Sequence, residues 1–398
     1  MNLDVSRCWA EIDLDALLEN CRTLHGLIPR GCRLMHILKA DAYGHGAVPA
    51  ARALGAAYPE DWIGVACLSE ALELREAGIR QEILILGFTP PEAAELLARR
   101  RVTQTLLSPD YTRALAACAE AAGVWVSCHL KADTGMTRIG YPAYGGDLAG
   151  AVSEAITAYR TPSLKITGIF THFSSSYSHA PEDDGYTRTQ FDRFLAFCRS
   201  LEAAGIRPGL RHCCNSPATV NSPEYALDMC RAGTVLYGLL PAAAMLRPAV
   251  FRPVMTWKAR VVQRRSVPAG TPVSYGRLAL AETPMELAVV SAGDADGYPR
   301  SLTNLGRVRI RGRVCPVVGR VCMDMFMADV SGVPEAAAGD EVLLLGGGGE
   351  DGVPCEWLYG PLGLGPSAIT CNVRGRVPRI FRGAGVPEVQ GLRGAVPR

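Results

Sequence analysis

From about residue 14 to residue 240 the chain alternates short apolar runs of strand length with stretches of helical period. This alternation constrains the fold more than any other feature. The runs are RLMHIL, WIGVAC, EILILG, RVTQTL, VWVSCHL, LKITGIF, LRHCC and the segment around MCRAGTVLYG; helical patterns such as SEALELREAG and DRFLAFCRSLEAAG fill the gaps. Apolar strands separated by helices point to parallel crossover units, because a parallel neighbour needs a long connection and both sheet faces are then covered. Eight such strands close a (β/α)8 TIM barrel, and the roughly 230 residues involved match its usual size. A doubly wound open sheet is the competing α/β arrangement, but no G-x-G-x-x-G follows the first strand. Leu14, Leu17, Leu18 and Cys21 lie at helical spacing, and Asp13 is the expected N-cap of the helix they open.

After Pro248 the texture changes. TWKARVVQRRSV, ELAVVSAG, RVRIRGRVCPVVGRVCMDMFMADV and DEVLLLGGGG are β-rich and separated by turn residues. The expected organisation is a barrel over residues 1–248, a mostly β domain over 249–384 and a frayed tail over 385–398. WAEID, residues 9–13, is a candidate strand that joins the β domain.

The net charge of +2 gives no reason to expect nucleic acid or an anionic membrane as partner. No segment is apolar enough to span a bilayer, and MNLDVSRCWAEIDLD lacks the basic and apolar blocks of a signal peptide. A cytoplasmic protein is expected. The 14 cysteines are scattered, with no C-x-x-C pair, which suits reduced thiols acting as small hydrophobes. The seven histidines are dispersed and no H-E-x-x-H occurs, so no metal is expected.

Barrel enzymes carry their reactive groups at the C-terminal ends of the strands. Here five strands end in polar residues: Lys39 after the first; Lys131, Asp133 and Arg138 in KADTGMTRIG; His172 in GIFTHFSSSY; Asn215 and Ser216 in HCCNSPA; and Arg231, Gly233 and Thr234 in the last unit. One such stop reads as a surface lysine capping a loop; five together read as a site. A lysine at a partly dry barrel mouth has a lowered pKa, and its neutral amine can form a Schiff base with an aldehyde. Pyridoxal 5'-phosphate is the obvious aldehyde. Its phosphate needs a cradle, for which Asn215, Ser216 and the Gly233–Thr234 backbone supply donors and Tyr43 adds a phenol.

The sequence resembles the alanine racemase family of fold-type III pyridoxal phosphate enzymes. The resemblance runs through WAEIDLDAL, KADAYGHG, KADTGMTRIG, FTHF, NSPA, RAGTVLYG, VSYGR, DADGYPR, GRVCMDM and RVPR, in the family's order and spacing. It implies that Lys39 carries the cofactor and serves as base on the D-face of the substrate Cα. It implies that Tyr275, in VSYGR, is the L-face base, reaching the barrel of the other subunit from the β domain, so that a homodimer has two composite sites. His172 matches the residue that hydrogen-bonds this tyrosine, with Arg231 behind it, and Arg231 matches the partner of the pyridine nitrogen. Arg138 matches a residue near the substrate carboxylate, and Lys131 a lysine often carbamylated in the family. Met323 and Asp324 match a segment lining the site.

Three positions depart from the pattern. Asp41 stands where the family usually has asparagine, Asp294 where it has a tyrosine, and Ser367 where it has a second tyrosine. In the family those two tyrosines narrow the substrate entry, so a wider mouth is expected, accepting serine or basic amino acids besides alanine. A serine/alanine racemase is one such reading. A related decarboxylase is disfavoured by VSYGR, and a non-catalytic pyridoxal phosphate-binding barrel by the β domain and its tyrosine.

Overall fold

The computed structural model describes residues 7–146, 148–239, 245–246, 249–384 and 390–391. A strand, β1 (Cys8–Asp13), leads into helix α1 (Leu14–Leu27). Asp13 caps this helix as expected, its carboxylate accepting the Ala16 N–H at 2.8 Å. Eight parallel strands follow: β2 (Arg33–Ile37), β3 (Trp62–Val65), β4 (Ile83–Ile85), β5 (Thr103–Leu106), β6 (Val126–Asp133), β7 (Leu164–Phe170), β8 (Leu210–His212) and β9 (Met229–Ala232). From β2 to β8 each pairs in parallel with the next, and β9 pairs with β2. Backbone hydrogen bonds from Asp228 N to Arg211 O and from Arg231 N to Cys214 O close the ring between β8 and β9. The fold is a (β/α)8 barrel, not the open sheet.

Strand periodicity sorts the side chains into two layers. Met35, Ile37, Trp62, Leu84, Phe170 and Met229 fill the barrel interior. Their neighbours Leu34, Ile63, Val65, Ile83 and Ile85 face outward into the much larger core shared with the helices. Buried on both faces, the strands have to be the apolar runs that the sequence contains.

The second body is antiparallel. Strands β10 (Met255–Val267), β11 (Met285–Val290), β12 (Arg307–Ile310), β13 (Arg313–Val318), β14 (Phe326–Asp329) and β15 (Glu341–Leu345) run in the order β11-β14-β13-β12-β15-β10, and β10 pairs back to β11. This closes a small barrel around Trp257, Tyr298 and Phe326. β1 adds to β10 antiparallel, and β16 (Arg379–Arg382) adds to β1 in parallel. The first and last strands of the described residues therefore share one sheet.

Two expectations need correction or placing. Lys131 and Asp133 belong to β6 itself rather than to the loop after it, because the Asp133 carboxylate takes the N–H groups of Gly135, Met136 and Thr137 and turns the chain only there. In the tail, residues 390–391 pair with Arg379 and Ile380, and residues 385–389 and 392–398 lie outside the described residues, as do 247–248. Among the described residues no helix is long and apolar enough to cross a membrane, and none of the cysteines is in a disulfide.

Candidate active site

The strand β2 delivers Lys39 to the barrel mouth, and the chain then does something unusual. Ala40, Asp41, Ala42 and Tyr43 all have φ between 52 and 55°. Four consecutive left-handed residues without a glycine are costly, about 1–2 kcal/mol each. Contacts hold the turn from both sides. The Glu70 carboxylate accepts the N–H of Ala40 and of Ala66, each at 2.7 Å. The Asp41 carboxylate accepts the Ala47 N–H at 2.8 Å. From the β domain, Arg379 donates to Gly44 O at 3.1 Å. A Cβ on Gly44 would lie 2.1 Å from Thr370 O, so this approach of the two domains requires glycine.

The turn points Lys39 and Tyr43 into a cavity of about 510 Å³. Ten of the residues singled out in the sequence line it: Lys39, Tyr43, Lys131, Arg138, His172, Asn215, Ser216, Arg231, Gly233 and Thr234. Lys39 Nζ lies 5.9 Å from the Tyr43 ring centroid. Burial holds the Lys39 amine below the usual lysine range, and the charge of Arg138 adds to the effect. Burial raises the Tyr43 phenol, which therefore stays protonated and able to donate.

Arg231 is the hub of the site. It is 3% exposed. Its Nη1 donates to His212 Nδ1 at 3.0 Å, and its Nη2 to Thr171 O at 2.8 Å, Cys213 O at 2.9 Å and His172 Nδ1 at 3.1 Å. A guanidinium only donates, so both imidazoles accept through Nδ1 and carry their proton on Nε2. Burial, with the Arg231 charge behind it, keeps His172 and His212 neutral, well below the usual histidine range. His212 stacks on Phe170 at 4.8 Å, which fixes its ring. Lys131 is also dry. It is 3% exposed, lies 5.2 Å from the Phe170 ring and donates to Ala132 O. Burial and the nearby Arg231 and Arg138 push its amine well below the lysine range.

A small polar cradle faces the lysine. Ser216 Oγ accepts the Gly233 N–H at 2.9 Å, and the Asn215 side chain accepts the Ala218 N–H and the Ser176 hydroxyl. A Cβ on Gly233 would stand 2.9 Å from Tyr43 Oη and 3.4 Å from Ser216 Oγ, so glycine keeps the space between these hydroxyls open. The Ser216 and Tyr43 hydroxyls keep their own protons to donate into this open space, which suits a phosphate.

Five residues singled out in the sequence lie elsewhere. Tyr275 is on the β domain and 67% exposed. Met323 is also exposed, and the two segments meet where Ser274 Oγ donates to Arg320 O at 2.7 Å. Asp324 accepts from Arg376 at 2.7 Å. Asp294 sits on a turn, its N–H donating to Cys322 O at 3.0 Å, and Ser367 is the second residue of the short helix Pro366–Thr370. None of them lines the cavity of its own barrel. Conversely, sequence reasoning missed Glu70, His212 and Arg379. Glu70 and Arg379 carry no signal beyond their charge; His212 ends an apolar strand in LRHCC, and that polar stop was the clue.

Comparison with known proteins agrees over nearly the whole chain. Residues 12–241 match the model of the alanine racemase N-terminal domain, and residues 254–381 that of the alanine racemase C-terminal domain. An alanine racemase of Desulfovibrio desulfuricans is 46% identical, covering 94% of this chain and 97% of the relative. One of Desulfosudis oleivorans is 40% identical, covering 94% and 96%. Among solved structures, an alanine racemase of Clostridium difficile 630 aligns with a TM-score of 0.87 at 33% identity, covering 95% of this chain and 96% of that one. One of Streptomyces lavendulae aligns with a TM-score of 0.87 at 36% identity, covering 95% and 97%.

Proposed function

The chain belongs to the alanine racemase family, and on that premise we propose that it interconverts L- and D-alanine with pyridoxal 5'-phosphate. The observation that carries the reading is Lys39, its amine held below the usual lysine range by burial, facing the Tyr43–Ser216–Gly233 cradle across one cavity. The residues fit the cofactor: Lys39 would hold its aldehyde carbon, Tyr43, Asn215, Ser216, Gly233 and Thr234 its phosphate, and Arg231 its ring nitrogen. Bound there, it supplies an electron sink that acidifies Cα of the amino acid.

The chain's own residues do the rest. Racemisation takes a proton from one face of Cα and returns one to the other, which requires a base on each face. Lys39, whose amine burial holds below the usual lysine range, takes the D-face. Tyr275 takes the L-face. Tyr275, Leu278, Leu280, Met323 and Met325 are all large apolar side chains that the β domain leaves exposed. This supports a homodimer in which Tyr275 enters the partner's cavity. His172, neutral and donating through Nε2, is placed to hold the incoming phenol, and Arg231 fixes His172. As a donor that cannot give up its proton, Arg231 would leave the ring nitrogen unprotonated and so moderate the electron sink. Arg138 would bind the substrate carboxylate, with the Met323–Asp324 segment of the partner beside it. Burial holds the Lys131 amine well below the lysine range, which favours the neutral amine that adds carbon dioxide and loses a proton; the resulting carbamate would pair with Arg138.

A wider substrate range is the second reading. It is favoured by Asp294 and Ser367, which are small or charged where the family narrows its entry. Cofactor-loaded protein is incubated separately with L-alanine, L-serine, L-lysine and L-arginine, and chiral chromatography follows each D-form. D-Alanine formation alone is the result expected of the first reading. Serine, lysine or arginine matching alanine supports the second. No D-product from any of them refutes both.

A further inference from the structure

Away from the cavity, on the outer side of β2, four potential metal ligands meet. Cys21 and His25 lie one turn apart on α1, on the same face of the helix. His36 points outward from β2, on the opposite side from Met35 and Ile37, and Asp61 immediately precedes β3. Cys21 Sγ, one nitrogen of each histidine and an Asp61 carboxylate oxygen all lie within 4.8 Å of one another. His25 Nε2 is 2.7 Å and His36 Nε2 3.2 Å from the same oxygen, Asp61 Oδ2, and Cys21 Sγ is 3.3 Å from His36 Nε2. Among the described residues this is the one group of three or more such side chains that converges in this way.

We propose that Cys21, His25, His36 and Asp61 form a structural zinc site that ties α1 to the strands β2 and β3. The donor set is one thiolate, two imidazoles and one carboxylate, the chemistry that favours zinc over magnesium or calcium. Four protein ligands leave no open position, which marks a structural rather than a catalytic ion. Bonds of about 2.0–2.3 Å in a tetrahedron separate the donors by about 3.2–3.8 Å, so the His25–Asp61 pair has to open by about half an ångström and the widest pairs to close by no more than about 1 Å. Zinc takes the thiol proton's place: the thiol releases one proton, and thiolate plus carboxylate neutralise the ion. The surroundings already hold the ligands in orientation. His25 stacks on Tyr58 with centroids 4.6 Å apart. Asp61 Oδ1 accepts the Leu34 N–H at 3.3 Å, leaving Oδ2 to face the cluster, and Gln81 holds the Asp61 carbonyl at 3.1 Å. The position matters because His36 is three residues before Lys39 on the strand that delivers it.

The test uses untagged, cofactor-loaded protein dialysed against a weak chelator. Elemental analysis measures zinc, and cobalt(II) substitution reads thiolate coordination as a sulfur-to-cobalt charge-transfer band. The expected result is one zinc per chain and a band that vanishes in Cys21→Ser. His25→Gln, at a partly exposed position, should weaken zinc binding by at least about 100-fold with unchanged circular dichroism. Wild-type protein that retains no zinc and shows no Cys21-dependent band overturns the proposal. So does zinc retained equally by both variants.

Discussion

Gly233→Ala is the sharpest probe of the phosphate cradle. The added Cβ would stand 2.9 Å from Tyr43 Oη and 3.4 Å from Ser216 Oγ. The first distance is too short for a carbon and an oxygen, so the phenol has to retreat by a few tenths of an ångström or swing away. A hydrogen bond to a charged group is worth about 1.5–3 kcal/mol, and each 1.4 kcal/mol is tenfold in affinity. Losing most of one such bond therefore weakens pyridoxal phosphate binding roughly 10–100-fold. The methyl group enters the cavity rather than the packed core, so the stability of the cofactor-free chain should change by no more than about 0.5 kcal/mol. Fluorescence titration of cofactor-free protein reads the affinity, and urea unfolding reads the stability. Wild-type affinity in a folded Gly233→Ala chain would refute the cradle.

Two further predictions concern how the site is held. His172, His212, His129 and His45 are kept neutral by burial, His45 at about 4 and His129 at about 3. The unfolded chain binds these protons near pH 6.5 and the folded chain only well below it, so stability should fall as pH drops from about 6.5 toward 4; a denaturant midpoint that is flat over this range contradicts it. Glu70→Gln leaves one of the two N–H groups, of Ala40 or Ala66, without its acceptor. It should cost about 1–3 kcal/mol and weaken cofactor binding through misplacement of Lys39, which urea unfolding and the same titration check.

How much of this was legible in the chain depends on whether a feature is local. The barrel strands were readable because burial on both faces demands apolar runs, and the polar stops at Lys39, His172, Asn215 and Arg231 stand out against them. The left-handed turn was not readable. Ala40, Asp41, Ala42 and Tyr43 are ordinary residues, and distant contacts from Glu70 and Arg379 impose their conformation. The separation of Tyr275 from the barrel cavity of its own chain was indicated by resemblance alone, since no periodicity encodes which subunit a side chain serves. The cluster of Cys21, His25, His36 and Asp61 escaped notice because its ligands are spread over forty residues in sequence and meet only through the packing of α1 on the barrel.

The central claim is that two bases act on opposite faces, Lys39 on one and Tyr275 on the other. The most direct measurement is proton exchange at Cα in deuterated water for Tyr275→Phe, starting separately from L- and D-alanine and read by NMR alongside chiral chromatography. The account predicts that racemisation is lost, that D-alanine still exchanges its α-proton through Lys39, and that L-alanine does not. A Tyr275→Phe enzyme that racemises at the wild-type rate, or that exchanges both enantiomers equally, would contradict it.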